Sequence, residues 1–161
     1  MFNNWVTDPE VSRFWQWEPH KDINETRGLL TGWIEEYAKL DTYHWIIVLK
    51  SISQAIGYIY LADINDTDDS VSIHYALSQK YWKQGIMTEA CKCVINFAFS
   101  VLGADRVHSN HHVGNPASGR VQQKCGMRYI GTKYKNVPEC ERISGDHCYY
   151  EIKSSDWKHI E

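Results

Sequence analysis

No run of apolar residues in this sequence approaches the ~18 that a membrane-spanning helix needs; the strongest, Trp45 to Leu49, is followed at once by Lys50. The opening MFNNWVTDPE has neither a basic stretch nor an apolar core, which argues against a secretory leader. A basic excess is missing as well: 17 Lys and Arg stand against 20 Asp and Glu, a net charge of −3. Domains built on phosphate-backbone contacts carry the opposite imbalance, so neither nucleic acid nor a membrane is expected as a partner. Cysteine is scarce and odd in number, at Cys91, Cys93, Cys125, Cys140 and Cys148, with no Cys-x-x-Cys spacing. Free thiols in a reducing cytoplasm are the expectation. Repeats, low-complexity tracts and flexible linkers are also lacking.

Aromatic residues are plentiful instead: seven Trp, ten Tyr and four Phe, in a chain that is 43% hydrophobic and 23% charged. That composition is globular, and 161 residues suit one domain spanning 1–161. Asp22, three residues before Glu25, reads as a helix cap, and Leu30, Trp33, Ile34 and Tyr37 follow at helical spacing, predicting a helix over 22–40. Residues 43–50, 56–61 and 71–77 read as strands, the last two joined by a polar hairpin from Asp63 to Ser70. The apolar set Ile86, Ala90, Cys93, Val94, Phe97, Ala98 and Val101 then marks one face of a long helix closed by Gly103. A strand over 106–113 precedes Asn115-Pro116, a side-chain cap followed by proline at the first helical position, and that helix stops at Gly126. Strands over 127–135 and 148–153 complete the chain. The order predicts an α/β fold of the α+β type, a mixed and mostly antiparallel sheet with helices on both faces.

Two segments carry chemistry. Tyr81-Trp82-Lys83-Gln84-Gly85-Ile86-Met87-Thr88-Glu89-Ala90 joins a strand to the long helix. The first N–H groups of a helix have no internal partner and bind anions, and Gly85 lets backbone approach a phosphate closely. Asn115-Pro116-Ala117-Ser118-Gly119-Arg120-Val121-Gln122-Gln123-Lys124-Cys125-Gly126-Met127 is the second. Together they resemble the GNAT superfamily of acetyl-CoA-dependent N-acetyltransferases, and within it the RimJ/RimL-like branch that acetylates ribosomal-protein N-termini. Trp82, Gly85, Thr88, Glu89 and Ala90 match the first family pattern in register; Asn115, Ser118, Arg120, Val121, Lys124 and Gly126 match the second. The Asp8-Pro9-Glu10-Val11 run and Ile56-Gly57 also fit this branch.

The resemblance implies direct attack of a neutral amine on the acetyl carbonyl, with acetyl-CoA as co-substrate and no metal. Backbone around Ala76 and Leu77 would pair with the pantetheine arm, and N–H groups of Lys83, Gln84, Gly85, Ile86, Met87 and Thr88 would cradle the pyrophosphate. Asn115 would contact the pantetheine, and Ser118 would protonate the departing thiolate. The acceptor would be a protein N-terminus or a small amine such as a polyamine or aminoglycoside.

Four departures from the family stand out. Lys83 replaces a glycine of the turn, and Met87 puts bulk where a small residue is usual. Ser72 occupies the position of the branch's glutamate base. His74, two residues on and hence on the same strand face, is a substitute base, with water as the alternative proton carrier. The family's first strand is lacking, which leaves a sheet edge exposed. A partner subunit over that edge (a homodimer), a shortened chain or a damaged gene product are the explanations left open. These departures also frame a rival, a non-catalytic acyl-CoA-binding module of GNAT fold.

Other clusters read more plainly. His108 and His112 share a strand face and His111 points away, so a zinc-binding interaction domain is a weaker rival; His108 and His112 either flank the amine cleft or fill the strand. Cys125 is read as a core thiol rather than a nucleophile. Asp63, Asp66, Asp68 and Asp69 form an acidic hairpin that attracts a cation or is a solvated turn. Glu35 and Glu36 are read as surface glutamates. Trp15 and Trp17 either line an acceptor pocket or cap the core.

Overall fold

The computed structural model describes residues 1–39, 41–65 and 67–158. Two helix starts fall where side-chain caps were expected, at Asp22 and Asn115, and a third, at Asp8, was not read as one. Asp8 accepts from the Glu10 N–H and begins a short helix α1, Pro9–Ser12, preceded by a π-helical turn over Phe2–Val6. Asp22 Oδ1 accepts from the N–H groups of Asn24 (2.6 Å) and Glu25 (3.3 Å), while Glu25 Oε2 accepts from Lys21 N at 2.8 Å. This reciprocal cap starts α2, Ile23–Glu36. The predicted helix ran further, to residue 40. The helix itself ends at Glu36, where the backbone tightens: the N–H groups of Ala38 and Lys39 bond three residues back, to the Glu35 and Glu36 carbonyls at 3.2 and 2.8 Å, and the Tyr37 hydroxyl is held by the His44 carbonyl. Leu40, the predicted end, lies outside the described residues.

Six strands follow in one sheet: β1 Tyr43–Leu49, β2 Gln54–Asn65, β3 Ser70–Leu77, β4 Arg106–His112, β5 Arg128–Lys135 and β6 Gly145–Lys153. Helix α3, Ile86–Ser100, connects β3 to β4, and α4, Pro116–Lys124, connects β4 to β5. The sheet order is β1-β2-β3-β4-β6-β5, antiparallel throughout except for β3 and β4. β1 is an edge; no strand among the described residues pairs with its outer side. β2 extends past the predicted end at Leu61, because a register shift between Ala62 and Asn65 lets it keep pairing into the expected hairpin.

Both sheet faces are covered. Ile59, Leu61, Val71, Ile73 and Val107 pack with Cys91, Val94, Ile95 and Ala98 of α3 and with Cys125. The opposite face carries Tyr58 and Ala76 against Trp5, Val6 and Val11, and Trp33 of α2 stands 5.3 Å from Tyr58. Trp15 tilts over Tyr58 and Tyr60, at 5.6 and 6.3 Å, so it caps this aromatic cluster. Trp17 meets Trp5 edge-on at 6.4 Å.

The acidic hairpin is tied down rather than simply solvated. Arg106 pairs with Asp68 and approaches Glu151 at 3.6 Å; Arg128 reaches Glu151 at 3.1 Å. The Asp69 carbonyl accepts from Asp105 N at 2.8 Å. Asp66 lies outside the described residues.

The crossing of β2 and β3 is close at one point. A Cβ on Gly57 would lie 2.4 Å from the Ala76 carbonyl oxygen, a backbone atom that cannot swing away. A Cβ on Gly28, in α2, would meet nothing within 4 Å. Gly57→Ala should therefore cost about 1–3 kcal/mol by overpacking, whereas Gly28→Ala should stabilise by roughly 0.5–1 kcal/mol through helix propensity. Urea denaturation of both variants checks the opposite signs.

Candidate functional site

β3 and β4 pair only from Ser70↔Arg106 to Ser72↔His108, and then part. From Ile73 to Leu77, β3 has no strand on its β4 side, and a wedge opens between the two chains. Buried polar groups fix the wedge. Ser109 Oγ donates to the Ile73 carbonyl at 2.9 Å, Gln122 Nε2 of α4 donates to Ser109 Oγ at 3.0 Å, and His111 Nδ1 meets Gln122 Oε1 at 2.9 Å. Gln122 is 1% exposed, so α4 is bolted to the strands through an amide with no water to replace it.

The long helix opens beside this wedge. Gly85 is its N-cap at φ 85°, a left-handed conformation suited to glycine, and no side chain caps the helix. The N–H groups of its first turn are thereby left for a ligand. A pocket of ≈ 480 Å³ lies there, lined by Gly85, Thr88, Glu89, Lys92, Cys93 and Lys124. Lys92 and Lys124 supply positive charge that the sequence reading did not assign. Their spacing carried a detectable signal: Lys92 lies one helical turn beyond Thr88, at i+4.

Two of the departures look different in the structure. Met87 was expected to crowd the phosphates; its side chain is 6% exposed and joins the main core instead, leaving only backbone at the turn. Lys83, in place of glycine, adopts φ 62°, so this long side chain holds a left-handed turn. The turn is braced by the Trp82 indole, which donates to the Leu77 carbonyl at 2.7 Å, and by Gln84 Nε2, which donates to the Lys80 carbonyl at 3.0 Å. The Leu77 carbonyl is thus already engaged.

Asn115 caps α4, its Oδ1 lying 3.4 Å from Ser118 N. Ser118, one turn in, faces β3: the Tyr75 hydroxyl donates to the Ser118 carbonyl at 3.2 Å and, its one hydrogen so used, accepts from Ser118 Oγ at 2.9 Å. Tyr75 escaped the sequence reading because nothing in a strand pattern says which tyrosine meets a helix 43 residues away. Burial pushes its phenol well above the ordinary value, so it stays protonated.

Ser72 and His74 do share a face. Ser72 Oγ lies 2.9 Å from His74 Nε2 and 2.8 Å from Asp63 Oδ2. The His74 ring stacks on Tyr60 at 5.0 Å, and Tyr60 stacks in turn on His44 at 4.8 Å, three cross-strand neighbours in a row. Burial pushes His74 down to about 4; the Asp63 carboxylate opposes this, but burial outweighs it. His108 is lowered as well, first by burial and then by Arg106.

His112 stacks on Phe14 at 5.7 Å and meets His147 edge-on at 5.4 Å, while His111 turns to α4. Among the described residues no three His, Cys, Asp or Glu side chains are grouped as a metal site. Cys125 is buried beside Cys91, in the core position expected. Glu35 is exposed and Glu36 half-buried, the latter 3.9 Å from His44.

The family model described as an acetyltransferase (GNAT) domain matches residues 1–128 of this chain. The probable N-acetyltransferase YjcK of Bacillus subtilis is 32% identical over 138 residues, 83% of this chain and 74% of that protein. Among solved structures, the spermidine N-acetyltransferase of Vibrio cholerae in complex with CoA and spermine superposes with a TM-score of 0.77 at 16% identity, covering 96% of this chain and 88% of that one. The ribosomal-protein-S5-alanine acetyltransferase of Vibrio fischeri gives 0.75 at 19%, covering 98% and 90%. At those identities the two structures establish a shared fold.

Two measurements test this geometry. A left-handed lysine is strained by ~1 kcal/mol, so Lys83→Gly should raise stability by about that amount while Lys83→Ala does not; equal melting temperatures would show the turn to be relaxed. His74 is neutral when folded and titrates near 6.5 when unfolded. Below pH 6.5 the unfolded chain binds the proton that the folded chain refuses, so stability falls with pH, by about 2 kcal/mol between pH 7 and 5 from this residue. Denaturant titrations at the two pH values should show a smaller loss in His74→Gln than in the parent.

Proposed function

Because this chain belongs to the GNAT acetyltransferase family, we propose that it transfers an acetyl group from acetyl-CoA to a primary amine, a protein N-terminus or a small amine such as a polyamine. The observation that carries the reading is the wedge between β3 and β4 opening beside an uncapped helix N-terminus flanked by lysines. An acyl chain carried on a pyrophosphate fits that combination: an extended amide-bearing arm pairs with the free side of β3, and the phosphates meet N–H groups and positive charge. The spermidine N-acetyltransferase and the S5-alanine acetyltransferase represent the two acceptor classes considered.

In this reading backbone at Ala76 and Leu77 holds the pantetheine arm, and the N–H groups of residues 83–88 hold the pyrophosphate, with Lys83, Lys92 and Lys124 adding charge. Leu77 contributes its N–H, since its carbonyl already accepts from Trp82. The amide NH₂ of Asn115, whose oxygen caps α4, turns to the arm. The amine attacks the acetyl carbon; holding both reactants in one cleft supplies much of the acceleration. His74 takes the amine's proton. Ser118 gives a proton to the departing sulfur and regains one from solvent, while Tyr75, its own hydrogen held by the Ser118 carbonyl, orients Ser118 Oγ. One domain carries both halves of the reaction. We place the protein in the cytoplasm, a compartment in keeping with its five unpaired thiols, and a second copy against the β1 edge is the form of assembly we favour.

Acetyl-CoA and CoA at about 100 times their dissociation constants should stabilise the fold by ~2.7 kcal/mol, a shift of several degrees, where a control nucleotide does not. Lys83→Gly should shrink that shift even as it steadies the free protein. Ser118→Ala should keep the shift and lower kcat with a panel of amines. Binding without turnover across the panel would favour the non-catalytic acyl-CoA-binding module; no shift at millimolar acetyl-CoA would end both readings.

A further inference from the structure

We propose that Ser72 and Asp63 are positioning residues for His74: the Ser72 oxygen accepts a hydrogen bond from His74 Nε2–H, Asp63 and the Ala62 carbonyl hold that hydroxyl, and the imidazole presents an unprotonated Nδ1 to the acceptor amine. The inference rests on the reading of His74 as the base.

A serine hydroxyl has a single hydrogen to donate. Two oxygens compete for it, the Ala62 carbonyl at 2.9 Å and Asp63 Oδ2 at 2.8 Å, and both are acceptors only. His74 Nε2, 2.9 Å away, is the third neighbour. If the hydroxyl donated to Nε2, its oxygen would face two acceptors with no proton between them. The hydrogen therefore points to oxygen, and Nε2 must carry its own proton and donate. A neutral imidazole has one N–H, so the lone pair is on Nδ1. No group among the described residues bonds Nδ1. A half-turn of the ring would keep the Tyr60 stack but would put Cε1 in place of Nε2 and lose the bond to Ser72.

Backbone geometry brings the carboxylate in. β2 shifts register between Ala62 and Asn65, and Asp63 in that shift adopts φ 50°, a left-handed conformation that aspartate tolerates better than most residues. The carboxylate thereby folds back onto Ser72 and lies 4.0 Å from His74 Nε2, while remaining 73% exposed. Strained backbone held by the surrounding sheet is a common mark of a working site. His74 itself sits on β3 two residues beyond the last pair with β4, Ser72↔His108, on the face that Ala76 continues.

The charge balance follows. As the amine nitrogen bonds to the acetyl carbon and the carbon–sulfur bond breaks, the amine's proton passes to Nδ1, and the sulfur takes a proton from Ser118, which solvent reprotonates. The resulting imidazolium faces Asp63 from β2, which favours it, and His108 from β4 and Lys135 from β5, which oppose it. Tyr60, the remaining titratable neighbour, is pushed up to about 12 by burial and stays neutral. The proton then leaves to solvent through the exposed side of the carboxylate.

Long-range nitrogen–proton NMR on the full chain labelled with ¹⁵N-histidine reads the tautomer directly and needs no acceptor. The expected result is an Nε2–H imidazole for His74, with Nδ1–H appearing in Ser72→Ala and Nε2–H restored in Ser72→Thr. With a polyamine, an alanine-initiated peptide and an aminoglycoside as acceptors, Ser72→Ala should lower kcat roughly 10-fold, part of the 10²–10⁴-fold a whole base contributes, and leave KM for acetyl-CoA unchanged. Asp63→Asn should keep the tautomer, since the Ala62 carbonyl remains, and move the His74 titration to lower pH. An Nδ1–H tautomer in the parent protein, or a Ser72→Ala spectrum identical to the parent's, overturns the proposal. If Ser72→Ala does not fold, the parent spectrum and the Thr variant decide alone. Failure of the acetyltransferase reading would show separately, as absent acetyl-CoA binding with the tautomer as stated.

Discussion

The parting of β3 from β4 is the feature on which the rest of this molecule depends. Parallel strands normally stay paired, because each released pair strips N–H and C=O groups of partners at roughly 1–3 kcal/mol per buried group. Here pairing lasts only from Ser70 to Ser72. The cost is contained on one face by side chains that replace lost backbone partners: Ser109 takes the Ile73 carbonyl, Gln122 takes Ser109, and His111 takes Gln122. Each group in that chain is buried, and removing one would strand the next. The same chain fixes where α4 sits, and α4 carries Ser118. Cleft, helix position and candidate acid are one construction.

The two sheet faces divide the labour. The α3 side is aliphatic, with Ile59, Leu61, Ile73, Val94 and Ile95 nearly sealed from water. It gives the long helix a rigid bed, so its uncapped N-terminus stays aimed at the turn. The α1 and α2 side is aromatic and titratable: His44, Tyr60 and His74 stack strand to strand, with Trp15 and Trp33 over them. Burial lowers His44 and His74 alike, so this face enters neutral at physiological pH. A neutral wall suits a reaction whose nucleophile must itself be an uncharged amine.

Legibility from sequence tracks the locality of the cause. Caps at Asp22 and Asn115-Pro116, the glycine at the start of α3, and the order of strands depend on neighbours within a turn or so, and those readings held. Helix α2 was read too long because apolar spacing alone does not show where the backbone tightens, as it does at Ala38 and Lys39. Met87 shows the same limit from the other side: its residue type suggested obstruction, but rotation about the helix axis delivers it to the core. The Tyr75–Ser118 pair and the lysines at 92 and 124 come from elements distant in sequence, and only tertiary packing brings them together. The Ser72–His74 pair lay between these extremes; strand alternation placed both on one face, but the Asp63 turn that completes the set was invisible.

Lys83 and Asp63 belong to one argument. Both hold left-handed backbone where a glycine would be free of strain, and each brings a charged side chain to the turn. A glycine at either position would relax the turn and lose the charge. Retaining a charged side chain in such backbone is costly wherever nothing is gained, because about 1 kcal/mol is a sizeable share of a domain's marginal stability. At Lys83 the charge stands beside an uncapped helix N-terminus, where an anion would collect it. At Asp63 it stands behind a buried imidazole, where a developing cation would. The two strained turns flank the cleft with opposite charges, positive where phosphate would bind and negative where a proton would arrive, an arrangement that a passive acyl-CoA carrier would have no use for on the second side.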